Sequence, residues 1–243
     1  VNFAALDGAE QAVKMRLSSL VVNVHHEGPA ESAEKVQITY LNDEKMHRVT
    51  ADRVVMAGQQ HLNKRVVTDL PESYRAAMDE FKHSPMLTVN VALRNWKFMD
   101  NMGVASVRWF GDNMGGWFTS LRKQMVLDGE EPMPLDPEKP TVLTLYNSFC
   151  TPGLPLHEQT VAARMQLFSL SYADVENEIR SQFTKMFGPG GFDADRDIAG
   201  ITLNRQGHAY IVTPPGFFFG KDGNPPPSDV IRQPHGRIAF AHS

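Results

Sequence analysis

Cysteine is almost missing: Cys150 stands alone. One thiol excludes an internal disulfide framework, a CxxC redox pair and a Cys-based zinc site. Long apolar runs are missing too, and none approaches the ~18–20 residues of a membrane span. No run of Lys or Arg stands out and the net charge is −4, so nothing in the charge pattern points to nucleic acid. No repeat of solenoid spacing occurs. The chain also lacks GxGxxG, P-loop, HExxH and GxSxG motifs. Ser, His and Asp are plentiful, but no spacing positions them as a triad. From its residues alone the chain reads as scaffold without a complete catalytic motif.

What is present is ordinary for a globular protein. The 243 residues are 42% hydrophobic and 21% charged, enough for one large domain or two modest ones. The first 60 residues read as β structure. Leu17 to His25 is a β-branched-rich run stopped by Glu27-Gly28-Pro29. Val36 to Tyr40 alternates with period two, and Asn42-Asp43-Glu44 makes a polar turn. Arg48 to Gly58 continues the sheet. Its continuously apolar end, Val54 to Ala57, suits a strand buried on both faces.

The middle of the chain mixes helices and strands. Pro71 opens a short helix running to about His83. Met86 to Leu93, Val104 to Phe110, Gly116 to Leu121 and Thr141 to Ser148 read as strands, with a Pro- and acid-rich loop over 128–140. Glu158 to Leu170 reads as a helix. Ser171-x-x-Asp174 caps another, which carries Val175, Ile179, Phe183 and Met186 at helical spacing and stops at Gly188-Pro189-Gly190-Gly191. Ile198 to Asn204 reads as a strand, and Lys221 to Ser228 as a loop.

The last stretch, Arg232 to Ser243, is a Pro/Gly turn feeding a short buried strand. Its resemblance in character to the strands before residue 62 predicts one domain interrupted by another. A strand that stops with the sequence leads us to expect that the chain is part of a larger protein.

Arg232-Gln233-Pro234-x-x-Arg237-Ile238-x-Phe240-Ala241 resembles the closing strand of the FAD domain in flavin-dependent amine oxidases. Leu17 to Val24 is similar to that family's strand whose valine reads the adenine, here Val21. Arg53 to Gly58 is similar to its strand near the ribose and pyrophosphate, where small residues let the backbone approach the cofactor. The phrasing of 30–40, 47–57, 91–96 and 188–193 looks closest to bacterial spermidine dehydrogenase-like proteins.

The resemblance implies an α/β fold, with an α+β substrate domain inserted in a Rossmann-like FAD domain. Residues 1–62 would be part of the FAD domain, 63–215 the substrate domain, and 216–243 the loop and last strand of the FAD domain. It further implies non-covalent FAD near Val21, Ala57, Gly58, Phe240, Ala241, His242 and Ser243. Haem in some relatives, a polyamine substrate, an electron acceptor and a periplasmic or membrane-associated setting belong to the same implication. The phosphate loop is expected before Val1. A second aromatic wall and the flavin-capping helix are expected after Ser243.

By the same matching Tyr210 is an aromatic wall beside the flavin, and His208 orients substrate or accepts a proton. Strand tyrosine and backbone-bonded loop histidine are the alternatives for these two. Trp109, Trp117, Phe118 and Phe217 (first of the Phe217-Phe218-Phe219 run) read either as core or as a substrate tunnel. Asp112, Glu130 and Glu131 read either as an acidic surface loop or as attractors of a distal ammonium. Three departures matter. Ala209 stands where monoamine oxidases have the cysteine that bonds FAD. Thr88 stands where many oxidases have a lysine at flavin N5. Gln206 stands near a frequent tryptophan. Thr88 predicts a dehydrogenase that passes electrons to an acceptor other than oxygen. The open alternatives are a desaturase-like or protoporphyrinogen oxidase-like flavoprotein, or a non-catalytic scaffold or electron-transfer partner.

Overall fold

The structure, a computed structural model, describes residues 3–110, 118–121, 126, 129–131 and 134–241. The expected site residues Trp117, His242 and Ser243, together with Asp112, lie outside them, as does the side chain of Phe118. The chain folds as two compact units, Val1–Phe81 with Thr213–Ser243, and Lys82–Val212.

The first unit opens with an antiparallel meander of β1 (Leu20–His26), β2 (Val36–Asn42) and β3 (Lys45–Ala51). The hairpin between β2 and β3 has two loop residues, Asp43 and Glu44, both at positive φ. That backbone twist matches the twist of the flanking strands. The expectation of a buried strand at the start is corrected. Leu20, Val21 and Val22 are exposed, and only Val24 and His26 are buried. β1 is an edge strand whose one neighbour in the sheet is β2.

β4 (Val54–Met56) follows, then α1 (Gln60–Val66) and α2 (Glu72–Asp79). Both helices belong to the first unit, so that unit extends past residue 62 to Phe81. Val67, after α1, bridges Val24 in parallel, and Thr68 donates to the Val24 carbonyl at 3.1 Å.

The second unit is a five-stranded antiparallel sheet covered by helices. It begins with β5 (Lys82–Leu93), then α3 (Lys97–Asn101), β6 (Ser106–Arg108), β7 (Phe118–Ser120) and β8 (Thr141–Ser148). Next come α4 (Leu156–Ser169), α5 (Tyr172–Phe187), the short α6 (Ala194–Asp197) and β9 (Ile198–Val212). The strand order is β6-β7-β8-β5-β9. The expected cap on α5 is a full capping box: Ser171 and Asp174 each accept the other's backbone N–H.

Period two along β5 builds the core. Leu87, Val89, Val91 and Leu93 are buried and join Leu143 and Leu145 of β8 with Leu167, Val175, Ile179 and Phe183 of the helices. Gly190, after α5, approaches α3 so closely that a Cβ would lie 2.2 Å from the Phe98 carbonyl oxygen. β9 is far longer than the expected Ile198–Asn204. Alternation persists to Val212, through a bulge opposite Pro85 between the pairs Met86/Gln206 and Ser84/Tyr210. Gly207 sits at that bulge under the Phe168 ring, where a Cβ would lie 3.1 Å away.

The chain returns to the first unit through α7 (Pro227–Arg232) and β10 (Ile238–Phe240). β10 pairs β4 in parallel, with Ile238 opposite Val54 and Phe240 opposite Met56. Segments from the two ends of the sequence therefore share one sheet. Burial of β4 on both faces is not observed: Val55 is 64% exposed. The sheet has two strands, and two strands offer too little surface to cover both faces.

His26 fastens this pair to the meander. Its Nδ1–H donates to Asp69 at 2.7 Å, and its Nε2 accepts the Arg237 backbone N–H at 3.0 Å. The Nδ1–H tautomer is thereby set, since Nε2 must be free to accept. His235 stands edge-on at 5.1 Å and donates from Nε2 to the Asp69 carbonyl. Partial burial pushes the Asp69 carboxyl up, but the hydrogen bonds from His26 outweigh it and leave the pKa below the ordinary value. A depressed carboxylate contributes stability that is full above its unfolded pKa of about 3.9 and is lost as pH falls through the folded value. Denaturant titrations from about pH 6 down to about pH 3 are expected to show this loss, and Asp69→Asn should flatten it. His26→Ala should cost on the order of 2–3 kcal/mol, because it leaves the Arg237 N–H without its acceptor.

Candidate functional site

The second unit's sheet has one face under helices; on the other, β9 carries exposed residues, while β5 and β8 carry half-buried ones and buried Met86. Along β9, Ile201 and Leu203 pack on the core, and Arg205 donates to the Leu170 carbonyl. The alternate residues Thr202, Asn204, Gln206, His208 and Tyr210 are exposed. Register carries this face across the sheet. Thr88 on β5 lies opposite both Asn204 and Tyr146, and Tyr146 lies opposite Phe118. Ser84 lies opposite Tyr210, and Met86 lies between Ser148 and Gln206. The next row is Thr144, Asn90 and Thr202.

Thr88, Gln206 and Tyr210 therefore share one face. Tyr210 is 62% exposed and presents its ring there. His208 is a strand residue, not a loop residue, because β9 runs through it. Bulges re-aim side chains, and at this one the His208 ring lies 6.1 Å from that of buried His83. Arg164 of α4 donates to the carbonyls of His83 and Gly207 at 3.2 and 3.4 Å. Partial desolvation first, then the Arg164 and His83 charges, push the His208 imidazole below its ordinary pKa.

Two tunnel candidates make packing contacts. Trp109 is half-buried against the core cluster. Phe217 is buried in the first unit, edge-on to Phe81 at 4.9 Å and to Phe218 at 5.0 Å. Period two separates Trp109 from the face that Thr88 and Tyr210 share, since Arg108 and not Trp109 is in register with Phe118. Glu130 and Glu131 are exposed. Sequence reasoning missed Arg164, His83 and the Thr144–Asn90–Thr202 row. The row's signal was visible as polar residues at every second position of β5 and β9.

In the first unit three of the expected cofactor positions, Ala57, Gly58 and Ala241, lie at the C-terminal end of the parallel pair. Ala57 and Gly58 follow β4 and are exposed, and Ala241 follows β10 and donates to the Met56 carbonyl at 3.1 Å. A Cβ on Gly58 would lie 2.9 Å from Asn63 Oδ1, while Asn63 itself donates to the Gly58 carbonyl. Phe240 is half-buried with its ring 6.1 Å from Tyr74, and Val21 is 37% exposed on edge strand β1. A cavity of about 610 Å³ in this unit is lined by α2, α7 and the 214–227 loop, including Phe217, Glu80 and Lys221. It holds none of the other expected site residues.

Among the described residues, one group has metal-ligand types within 4.8 Å of one another: His26, Asp69 and His235. Its hydrogen bonds argue against a metal. Binding through His26 Nε2 would displace the Arg237 N–H. Binding through Nδ1 would put a proton on Nε2, facing that same N–H.

No family model matches the chain, and no curated protein matches it. Solved structures do. Cyclohexylamine oxidase from Brevibacterium oxydans IH-35A superposes with a TM-score of 0.59 at 16% identity, over 91% of this chain and 42% of that one. Putrescine oxidase bound to putrescine gives 0.55 at 18% identity, again over 91% and 42%. A putrescine oxidase double mutant gives 0.56 at 17% identity, over 92% and 42%. The chain shares the fold of these proteins and spans 42% of their length.

The His208 environment makes a direct prediction. An NMR titration should place its midpoint below the ~6.5 of free imidazole. Arg164→Met should raise that midpoint by removing a nearby cation. A midpoint unmoved by the variant would contradict the described electrostatics.

Proposed function

We propose that the chain forms the substrate-side part of a longer FAD-dependent enzyme that oxidises an amine at the carbon next to nitrogen. One convergence carries this reading. Tyr210 matches the family's aromatic wall, and it shares a sheet face with Thr88 and Gln206, which stand where the family has a lysine and near where it has a tryptophan. The fold of the chain is that of two amine oxidases.

The residues of the first unit suit the cofactor. Ligands of open α/β sheets bind beyond the C-terminal ends of parallel strands. There Ala57, Gly58 and Ala241 expose backbone with little side chain in the way. These three, with Val21, Phe240 and the following His242 and Ser243, would hold FAD; its phosphates would be held outside this chain. When bound, FAD accepts the hydride equivalent released from the amine carbon.

The chain's own residues do the rest. Tyr210 supplies an aromatic wall that excludes water and attracts the arriving cation. His208, with its pKa lowered by partial burial and the nearby cations, presents an uncharged ring that orients the substrate amine. Ala209 offers no covalent attachment. Thr88 replaces the lysine expected of an efficient oxygen user, so electrons pass to another acceptor. A spermidine-like substrate, a haem and export to the periplasm follow from the sequence resemblance and are part of the same proposal.

Absorbance of the purified whole protein that carries this chain is the decisive measurement. Flavin bands are expected, released into the supernatant by acid precipitation and bleached by an amine without oxygen. A haem band would appear in the same spectrum. Absence of flavin, or flavin that no amine bleaches, overturns the proposal. Thr88→Lys is expected to speed reoxidation of the reduced flavin by oxygen; an unchanged rate would remove the argument for another acceptor.

A further inference from the structure

The cavity of the first unit has walls that are held in place on both sides. On one side α2 lines it with the short side chains of Ser73, Ala76 and Ala77, and with Glu80. These four positions fall on one helical face, and the short ones leave the space unfilled. On the other side the 214–227 loop forms an arch. Pro214, Pro215, Pro225, Pro226 and Pro227 have φ fixed by their rings. Gly216 and Gly220 stand at φ of 94° and 75°, and the Gly220 N–H closes the turn onto the Gly216 carbonyl at 2.8 Å. Lys221 and Asn224 exchange backbone hydrogen bonds at 3.3 and 3.0 Å, and Ser228 Oγ donates to the Phe217 carbonyl at 3.2 Å. We propose that this cavity binds a small organic cation with an apolar body, a role that goes beyond the flavin reading and does not rest on it.

Size and lining come first. About 610 Å³ lies within the range of small-molecule sites. Ala76, Ala77, Phe217, Val230 and the prolines make most of the wall apolar, and Ala77 and Phe217 are buried. Because the arch is set by its own prolines and hydrogen bonds, little chain freedom is lost when a ligand enters.

Charge selects the sign of the ligand. Glu80, Asp222 and Lys221 are the charged residues of the lining, two acids against one base. Among the described residues, no hydrogen bond or ion pair engages their side chains. Glu80 is the C-cap of α2, where the helix dipole also presents its negative end. An aromatic ring and a carboxylate on the walls of one apolar cavity suit an organic cation. Both acids are exposed, so a cation held there keeps part of its hydration and avoids the full cost of burial.

The test uses the whole protein that carries this chain, with benzyltrimethylammonium as the probe. The nitrogen of this probe has no lone pair, so amine oxidation does not consume it and binding is read without activity. Broadening of its methyl proton signal should saturate at about millimolar concentration, as its few atoms allow. Neopentylbenzene, the same shape with carbon in place of the charged nitrogen, should bind more weakly. Glu80→Gln should weaken the probe about two- to fivefold, the scale of an exposed ionic contact, and added salt should act in the same direction. Ala76→Leu keeps helix propensity at an exposed position and fills the cavity, so it should abolish saturable binding. A wild type without saturable binding, or binding that neither variant changes, overturns the proposal. So does binding that survives Ala76→Leu but is lost in Tyr210→Ala, which would seat the probe on the sheet of the second unit. The amine reading is decided separately, by whether an amine bleaches the flavin.

Discussion

β5 is the strand on which the second unit depends. It lies between β8 and β9 and hydrogen-bonds to both, so its two faces set the character of the whole sheet. Leu87, Val89, Val91 and Leu93 make one face apolar, and α4 and α5 close over it. Thr88 and Asn90 make the other face polar and are themselves half-buried. A one-residue slip would exchange these faces and put the polar row under the helices. The candidate chemistry and the core are thus two readings of one alternation.

The first unit is organised by a different constraint. Two short parallel strands from opposite ends of the chain must meet, and a parallel pair cannot be closed by a local turn. His26 helps to hold the return. It fixes the backbone of Arg237 while Asp69 fixes its tautomer. Gly236 permits the approach, since a Cβ there would lie 2.7 Å from His26 Nε2. The consequence is functional as well as structural, because Ala57, Gly58 and Ala241 emerge side by side at the strand ends where cofactor backbone contacts are proposed.

Much of this was legible in the sequence. The Asn42-Asp43-Glu44 turn, β8, the Ser171 cap and the Gly-Pro stop after α5 all depend on neighbours in sequence, and all stand where local chemistry placed them. Other features were not legible. β9 continues past Asn204 because β5 supplies partners up to Lys82, through a bulge that local propensity does not announce. Trp109 and Phe217 carried identical aromatic signals for tunnel or core. In the structure Trp109 packs against a core cluster, and Phe217 meets the Phe81 ring and lines the first unit's cavity.

Composition and motif counting by themselves determined that this is a mixed α/β globular chain, without a disulfide framework or a self-contained catalytic motif. Periodicity and turn chemistry determined most of its elements. Tertiary structure alone decided which residues share a face, because facing depends on register with strands distant in sequence. Register put Thr88, Gln206 and Tyr210 on one face, in separate rows, and linked Asn90 to two threonines. It also took Trp109 away from that face, and hydrogen-bond polarity turned a metal-like His26–Asp69–His235 group into a structural clasp.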